Sequence, residues 1–144
     1  MEIREICESD FSAICSLINN ELGYPEVNLD GLITRIELMN QDENYNTFVA
    51  LLNNKIVGFI GTFQGIAFES NGFYIRIIAL AVSKENQNKG IGRSLVKHVE
   101  NYAKEKGITA FALNSGLQRL NTHIFYENNG YIKKSYGFSK DIFI

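Results

Sequence analysis

The eleven residues from Gly72 to Val82, GFYIRIIALAV, carry a single charge, Arg76. A run this apolar suits a strand covered on both faces near the centre of a sheet, which requires helices on each side. It is long for one strand, so a bulge or splay is expected within it. The chain has 144 residues, enough for one core and too few for two, and the expected organisation is one continuous domain over 1–144. Apolar residues make up 45% and charged residues 21%, near the averages of globular chains, which excludes a disordered or fibrous protein.

The flanking patterns fit that central strand. Ile3 to Ile6 alternate as a short strand, and Ser9 and Asp10 stand as N-cap and first-turn acid before a helical face of Phe11, Ile14, Cys15, Ile18 and Leu22, stopped by Gly23 and Pro25. Leu29, Leu32, Ile33 and Ile36 mark a second helix fading near Asn40. Two apolar runs, 47–52 and 55–63, are joined by Asn53-Asn54, residues that tolerate the left-handed conformation of a type I′ hairpin turn. Ile91, Leu95, Val99, Tyr102 and Ala103 form a third helical stripe closed by Gly107. A strand at 108–114, a helix from about Arg119 to Asn128, and strands at 131–137 and 138–144 complete the order β-α-α-β-β-β-α-β-α-β-β. The fold class is α/β, a mixed sheet with helices on both faces.

The chemistry concentrates at Gly90-Ile91-Gly92, where the third helix begins. The first N–H groups of a helix lack intrahelical partners and sit at the positive end of its dipole. Glycines at 90 and 92 let an anion approach the backbone, while Lys89, Arg93 and Lys97 add positive charge. Helices favour acids in their first turn, yet no acid stands between Glu85 and Glu100. That pattern suits an external anion; the competing reading is a strand-to-helix turn on a solvated face. Leu95 occupies the third glycine position of a dinucleotide fingerprint, and no phosphate loop of the G-x-x-x-x-G-K-[ST] kind occurs.

Other partners are demoted. A net charge of −2 gives no overall attraction to nucleic acid or an anionic membrane. Cys7 and Cys15, with His98 and His123, match no metal-ligand spacing, and the thiols are expected to be free. No run reaches the ~18 apolar residues of a membrane helix, and acids near the N-terminus do not fit a signal peptide, so a cytoplasmic location is expected.

Val82 followed by Gln87-Asn88-Lys89-Gly90-Ile91-Gly92 is similar to the [QR]-x-x-G-x-[GA] signature of the GCN5-related N-acetyltransferases (GNAT). Downstream, Arg119-Leu120-Asn121-Thr122-His123-Ile124-Phe125-Tyr126-Glu127-Asn128-Asn129-Gly130-Tyr131 resembles the family's helix leading into F-Y-E-x-x-G-[FY]. The resemblance spans nearly the whole chain and is strongest to the aminoglycoside-acetyltransferase-like branch. It implies a sheet splayed between strands 4 and 5, with acetyl-CoA as cosubstrate. The loop from Gln87 through Asn88, Lys89, Gly90, Ile91 and Gly92 to Arg93 and Ser94 would hold the pyrophosphate, and main-chain groups of Leu80 and Val82 the pantetheine arm. Asn114 and Arg119 would also lie at the cofactor. Arg119 replaces an asparagine common in the family, so it would reach a phosphate or cap a substrate group.

The implied reaction is attack of a primary amine, of a small molecule or peptide, on the thioester through a tetrahedral intermediate. Tyr126, at the family's tyrosine position, would give a proton to the departing thiolate; its alternative role is packing beside Phe125. Relatives often carry a glutamate where this chain has Ile78, so the base stays open: a water, an amine arriving neutral, or Glu69, Glu21 or Glu26. His123 on its helix suits packing better than proton transfer. Asn114-Ser115-Gly116 would orient the amine or a water, or simply form a turn. Phe68 and Phe73 flank Glu69 in a segment that would select a cationic amine. Dimerisation, common in the family, would pair the strand at 138–144 across an interface. The contrasting reading is a non-catalytic acyl-CoA-binding or regulatory module of the same fold, favoured by Ile78.

Overall fold

The computed structural model describes residues 1–143, and its contacts divide the chain into two compact units, Met1–Ala112 and Leu113–Ile144. In the first unit β1 (Glu2–Glu5) leads through a 3-10 turn at Glu8–Asp10 into α1 (Phe11–Glu21) and α2 (Leu29–Asn40). Then come β2 (Tyr45–Leu52), β3 (Lys55–Ile66), β4 (Phe73–Val82), α3 (Ile91–Glu105) and β5 (Ala110–Leu113), with the unit boundary falling inside β5. The sheet order is β1-β2-β3-β4-β5. The first three pairings are antiparallel, while β4 and β5 are joined through α3, the crossover that parallel strands need. The sheet is therefore mixed, as expected.

Alternation along the strands divides the core into two layers. Val49, Leu51, Phe59 and Ala81 pack with Phe11, Ile14, Leu17, Leu32 and Ile36 under α1 and α2. On the opposite face, Phe48 meets the His98 and Tyr102 rings of α3 edge-on, at 4.6 and 5.8 Å. Leu95, Val96 and Val99 of α3 are almost fully buried. Gly58 allows this close approach, because a Cβ there would stand 3.0 Å from the Ala81 carbonyl and 3.3 Å from Leu95 Cδ1.

Local signals set several boundaries. Asn53 and Asn54 both adopt positive φ, 51° and 62°, as the type I′ turn demands. The Asn28 side chain accepts from Gly31 N at 2.8 Å and caps α2. Ser9 and Asp10 depart from expectation: Ser9, expected as the N-cap, lies inside the 3-10 turn, and Asp10, expected in the first turn, stands at the N-cap position of α1 without a side-chain cap. Its carboxylate is buried against Arg4, 2.7 Å away, and accepts from Cys7 N at 2.8 Å. The Arg4 guanidinium holds this carboxyl below its ordinary range. Both cysteines are free thiols, Cys15 buried and Cys7 exposed.

Central strand β4 carries the expected bulge. Its register with β3 passes from Gly61↔Ala79 to Thr62↔Ile77, leaving Ile78 as the extra residue. Coverage on both faces is incomplete at that point, for Ile78 is 46% exposed while Ile75 and Ile77 are buried.

In the second unit α4 (Leu120–Asn128) follows an irregular stretch at 114–116 and a turn at Leu117-Gln118, so the turn expected of Asn114-Ser115-Gly116 falls just after it. The strands expected at 131–137 and 138–144 do not form over 131–143; Ile144 lies outside the described residues. Tyr, Ile and Phe give that segment strand propensity, but an isolated hairpin is marginal without a third strand or a helix to cover it. Ile132, Phe138, Ile142 and Phe143 stay largely exposed. Among the described residues no helix is long and apolar enough to cross a membrane.

Candidate active site

The turn between β4 and α3 is shaped by two left-handed residues, Asn88 at φ 63° and Gly90 at φ 83°. Such alternation curls a loop so that successive N–H groups face one concavity. Gly90 is the N-cap of α3, with no side-chain cap and no acid in the first turn. Among the described residues, the main-chain N–H groups from Asn88 to Arg93 donate to no protein acceptor, and the first return bond runs from Ser94 N to the Gly90 carbonyl at 3.0 Å. A Cβ on Gly90 would meet nothing within 4 Å, so the loop opens to solvent. Lys89, Arg93 and Lys97 are exposed beside it. Unspent donors, a helix dipole and unopposed cations together make a cradle that fits a diphosphate.

The neighbouring β4 edge offers a second feature. Ser83 N donates to the Val57 carbonyl on β3 at 2.8 Å. Main-chain groups alternate in direction along a strand, so the N–H and C=O of Val82 and Leu80 point away from β3, toward the β5 side. Four-residue β5 can pair only part of ten-residue β4, which leaves room for an extended chain to add there. Gln87 tightens this corner: its Nε2 donates to the Val82 carbonyl at 2.9 Å and to Glu21 Oε1 at 3.2 Å. Neither bond was legible from the motif, which reads glutamine only as a loop residue.

A cavity of about 260 Å³ lies beneath α1 and α2 beside the β4 bulge. Its walls include Ile18, Leu22, Phe59, Gly61, Ile78 and Ala79, with Thr47, Tyr24 and Arg35 supplying the polar atoms. None of the lining residues is acidic. Of the carboxylates named as candidate bases, Glu21 is tied to Gln87 and Glu26 is exposed. Glu69 stands on an exposed loop beside a fully exposed Phe68. The structure brings none of the three to the cavity lining.

In the second unit, Tyr126 is buried and its ring meets Phe125 and Tyr131 edge-on at 5.1 and 5.6 Å. Burial pushes its phenol up to about 12, against the opposing pull of Arg119. The group is therefore a proton donor and not a base at neutral pH. His123 serves the turn: its Nε2 donates to the Gly116 carbonyl at 2.8 Å, while Nδ1 is buried without a partner among the described residues. Arg119 is the N-cap of α4, and its N–H also returns to the Gly116 carbonyl, at 3.0 Å. Asn114 lies against Gly137, where a Cβ would stand 3.0 Å from its amide nitrogen.

Comparison with known proteins identifies the family. A family model described as the acetyltransferase (GNAT) family matches residues 11–131. An aminoalkylphosphonate N-acetyltransferase of Salmonella typhimurium is 27% identical over 136 residues, covering 94% of this chain and 85% of the relative. A crystal structure of a GNAT family acetyltransferase from Staphylococcus aureus is 30% identical with a TM-score of 0.81, covering 98% of both chains. The fold is shared with an aminoglycoside 6′-N-acetyltransferase of Acinetobacter haemolyticus, at a TM-score of 0.83, 16% identity and 99% coverage of both chains. With a signature loop of unspent N–H donors opening α3 and a family match over most of its length, the chain belongs to the GNAT family of acetyltransferases.

Proposed function

We propose that this protein is an acetyl-CoA-dependent N-acetyltransferase acting on the primary amine of a small molecule or peptide. The observation that carries the proposal is the row of unpartnered N–H groups from Asn88 to Arg93 at the left-handed start of α3. Gln87 through Ser94 hold the pyrophosphate, with Lys89 and Arg93 adding charge. Leu80 and Val82 take the pantetheine amides through main-chain groups, Val82 chiefly through its N–H because Gln87 engages its carbonyl. Acetyl-CoA supplies an activated thioester. In the transfer the acceptor nitrogen bonds to the acetyl carbon, the carbon–sulfur bond breaks, and the amine loses a proton while the thiolate gains one. Tyr126 provides that second proton. No carboxylate lines the cavity, so the amine's proton leaves through water. Arg119 and Asn114 are assigned to the cofactor on the family motif.

A second reading, an acyl-CoA-binding module without turnover, is favoured by Ile78 standing half-exposed at the bulge where relatives often carry an acid. The relative's phosphonate substrate makes aminoalkylphosphonates natural first acceptors to assay. Calorimetric titration with acetyl-CoA, for the wild type and for Gly90→Glu with Gly92→Glu, tests the site. Micromolar binding abolished by the double substitution supports the proposal, and no binding by the wild type ends it. Turnover of any amine then separates the enzyme from the module.

A further inference from the structure

The cavity beside Ile78 has a graded chemistry that selects among amines. It begins at the β4 bulge with Ile78 and Ala79, passes over β3 at Phe59 and Gly61, and reaches β2 at Thr47 and α2 at Arg35 and Met39. Two strand spacings separate β4 from β2, so the cavity spans about 10 Å across the sheet. Its volume of about 260 Å³ exceeds the ~150 Å³ void that encloses benzene. It falls below the ~300–1,000 Å³ of pockets for drug-sized ligands. A short aliphatic or aromatic spacer fits.

Charge is confined to one end. Arg35 is exposed and makes no hydrogen bond or ion pair among the described residues, while no acid lines the walls. A second cationic group on an acceptor would meet either apolar walls or Arg35, both unfavourable. An anionic group would meet an uncommitted guanidinium suited to carboxylate or phosphonate. Gly61 keeps the middle of the floor open: a Cβ there would only touch Ile78 Cγ1 at 3.7 Å and Ala79 Cβ at 3.9 Å, so a larger side chain would point into the space.

We infer that the acceptor is an amine joined through a short apolar spacer to an anionic group, with the amine at Ile78, the spacer over Gly61 and the anion at Arg35. This rests on the acetyltransferase reading for the position of the thioester, at the β4 edge. The test uses acceptors with one spacer and different far ends: 6-aminohexanoate, 6-aminohexylphosphonate, hexylamine and hexane-1,6-diamine. Coenzyme A release gives turnover, and ligand-observed NMR on the whole protein gives binding independently of turnover.

An anionic acceptor should exceed the diamine in kcat/KM and in binding by about tenfold or more. Arg35→Gln should erase that preference while leaving hexylamine within about twofold. Gly61→Val should weaken all four acceptors and leave acetyl-CoA affinity unchanged. The better of the two anions identifies the head group. A diamine bound as well as the anions overturns the inference, as does an anion preference that survives Arg35→Gln or binding of none of the four. Failure to bind acetyl-CoA would instead sink the enzymatic reading, and the NMR comparison would still decide what the cavity accepts.

Discussion

Burial holds the Tyr126 phenol neutral far beyond physiological pH, and two consequences follow from that single group. Tyr126→Phe should lower kcat by about a hundredfold, the lower range for a lost general acid, with acetyl-CoA affinity unchanged. The phenol also affects stability. Its folded value near 12 lies above the reference of about 10. The stabilisation is complete below pH ~10 and is lost as pH rises through about 12. Melting curves across that window should show a steeper alkaline decline for the wild type than for Tyr126→Phe. At the hairpin, Asn54 holds φ 62°, and Asn54→Gly should raise stability by a few tenths of a kcal/mol in urea titrations. Residue identity alone announced that turn, because few side chains tolerate such angles. It placed Ser9 at the cap and Asp10 in the first turn, whereas Asp10 takes the N-cap position and its carboxylate pairs with Arg4, on a strand six residues earlier. Local pattern does not choose between capping a helix and pairing with a distant cation.

Among the elements, β4 and α3 carry most of the argument. The sequence showed that β4 was too long and too apolar to be uniform, while the bulge at Ile78 emerged only from register with β3. Helix α3 was legible throughout, since its apolar stripe, opening glycines and missing first-turn acids are all local. Its seat on the sheet was not: Gly58 looks like any strand glycine until Leu95 is placed against it. Gly58→Val should destabilise by roughly 1–3 kcal/mol through overpacking, measured by chemical denaturation. The two final strands failed for the opposite reason, because the β-forming residues at 131–143 describe strand character without supplying a neighbour.

Over the whole molecule, charge and sheet pairing act in different places. The net charge of −2 predicts no attraction to an anion, yet Lys89, Arg93 and Lys97 gather beside the α3 loop. Acetyl-CoA affinity should therefore fall as salt rises from about 50 to 500 mM, despite the molecule's negative balance. Hydrogen exchange should be slowest in β2, β3 and β4, whose N–H groups lie in long antiparallel ladders, and fast over 131–143. The donors from Asn88 to Arg93 belong to the main chain, which every residue type except proline supplies. A saturation library across the loop should thus be tolerant at most positions and intolerant where the chain must turn left-handed, at Gly90 above all. Lineages that preserve only those bends can exchange nearly every other letter and keep the same ligand, so ancestry in such a site is written in backbone angles more than in side chains.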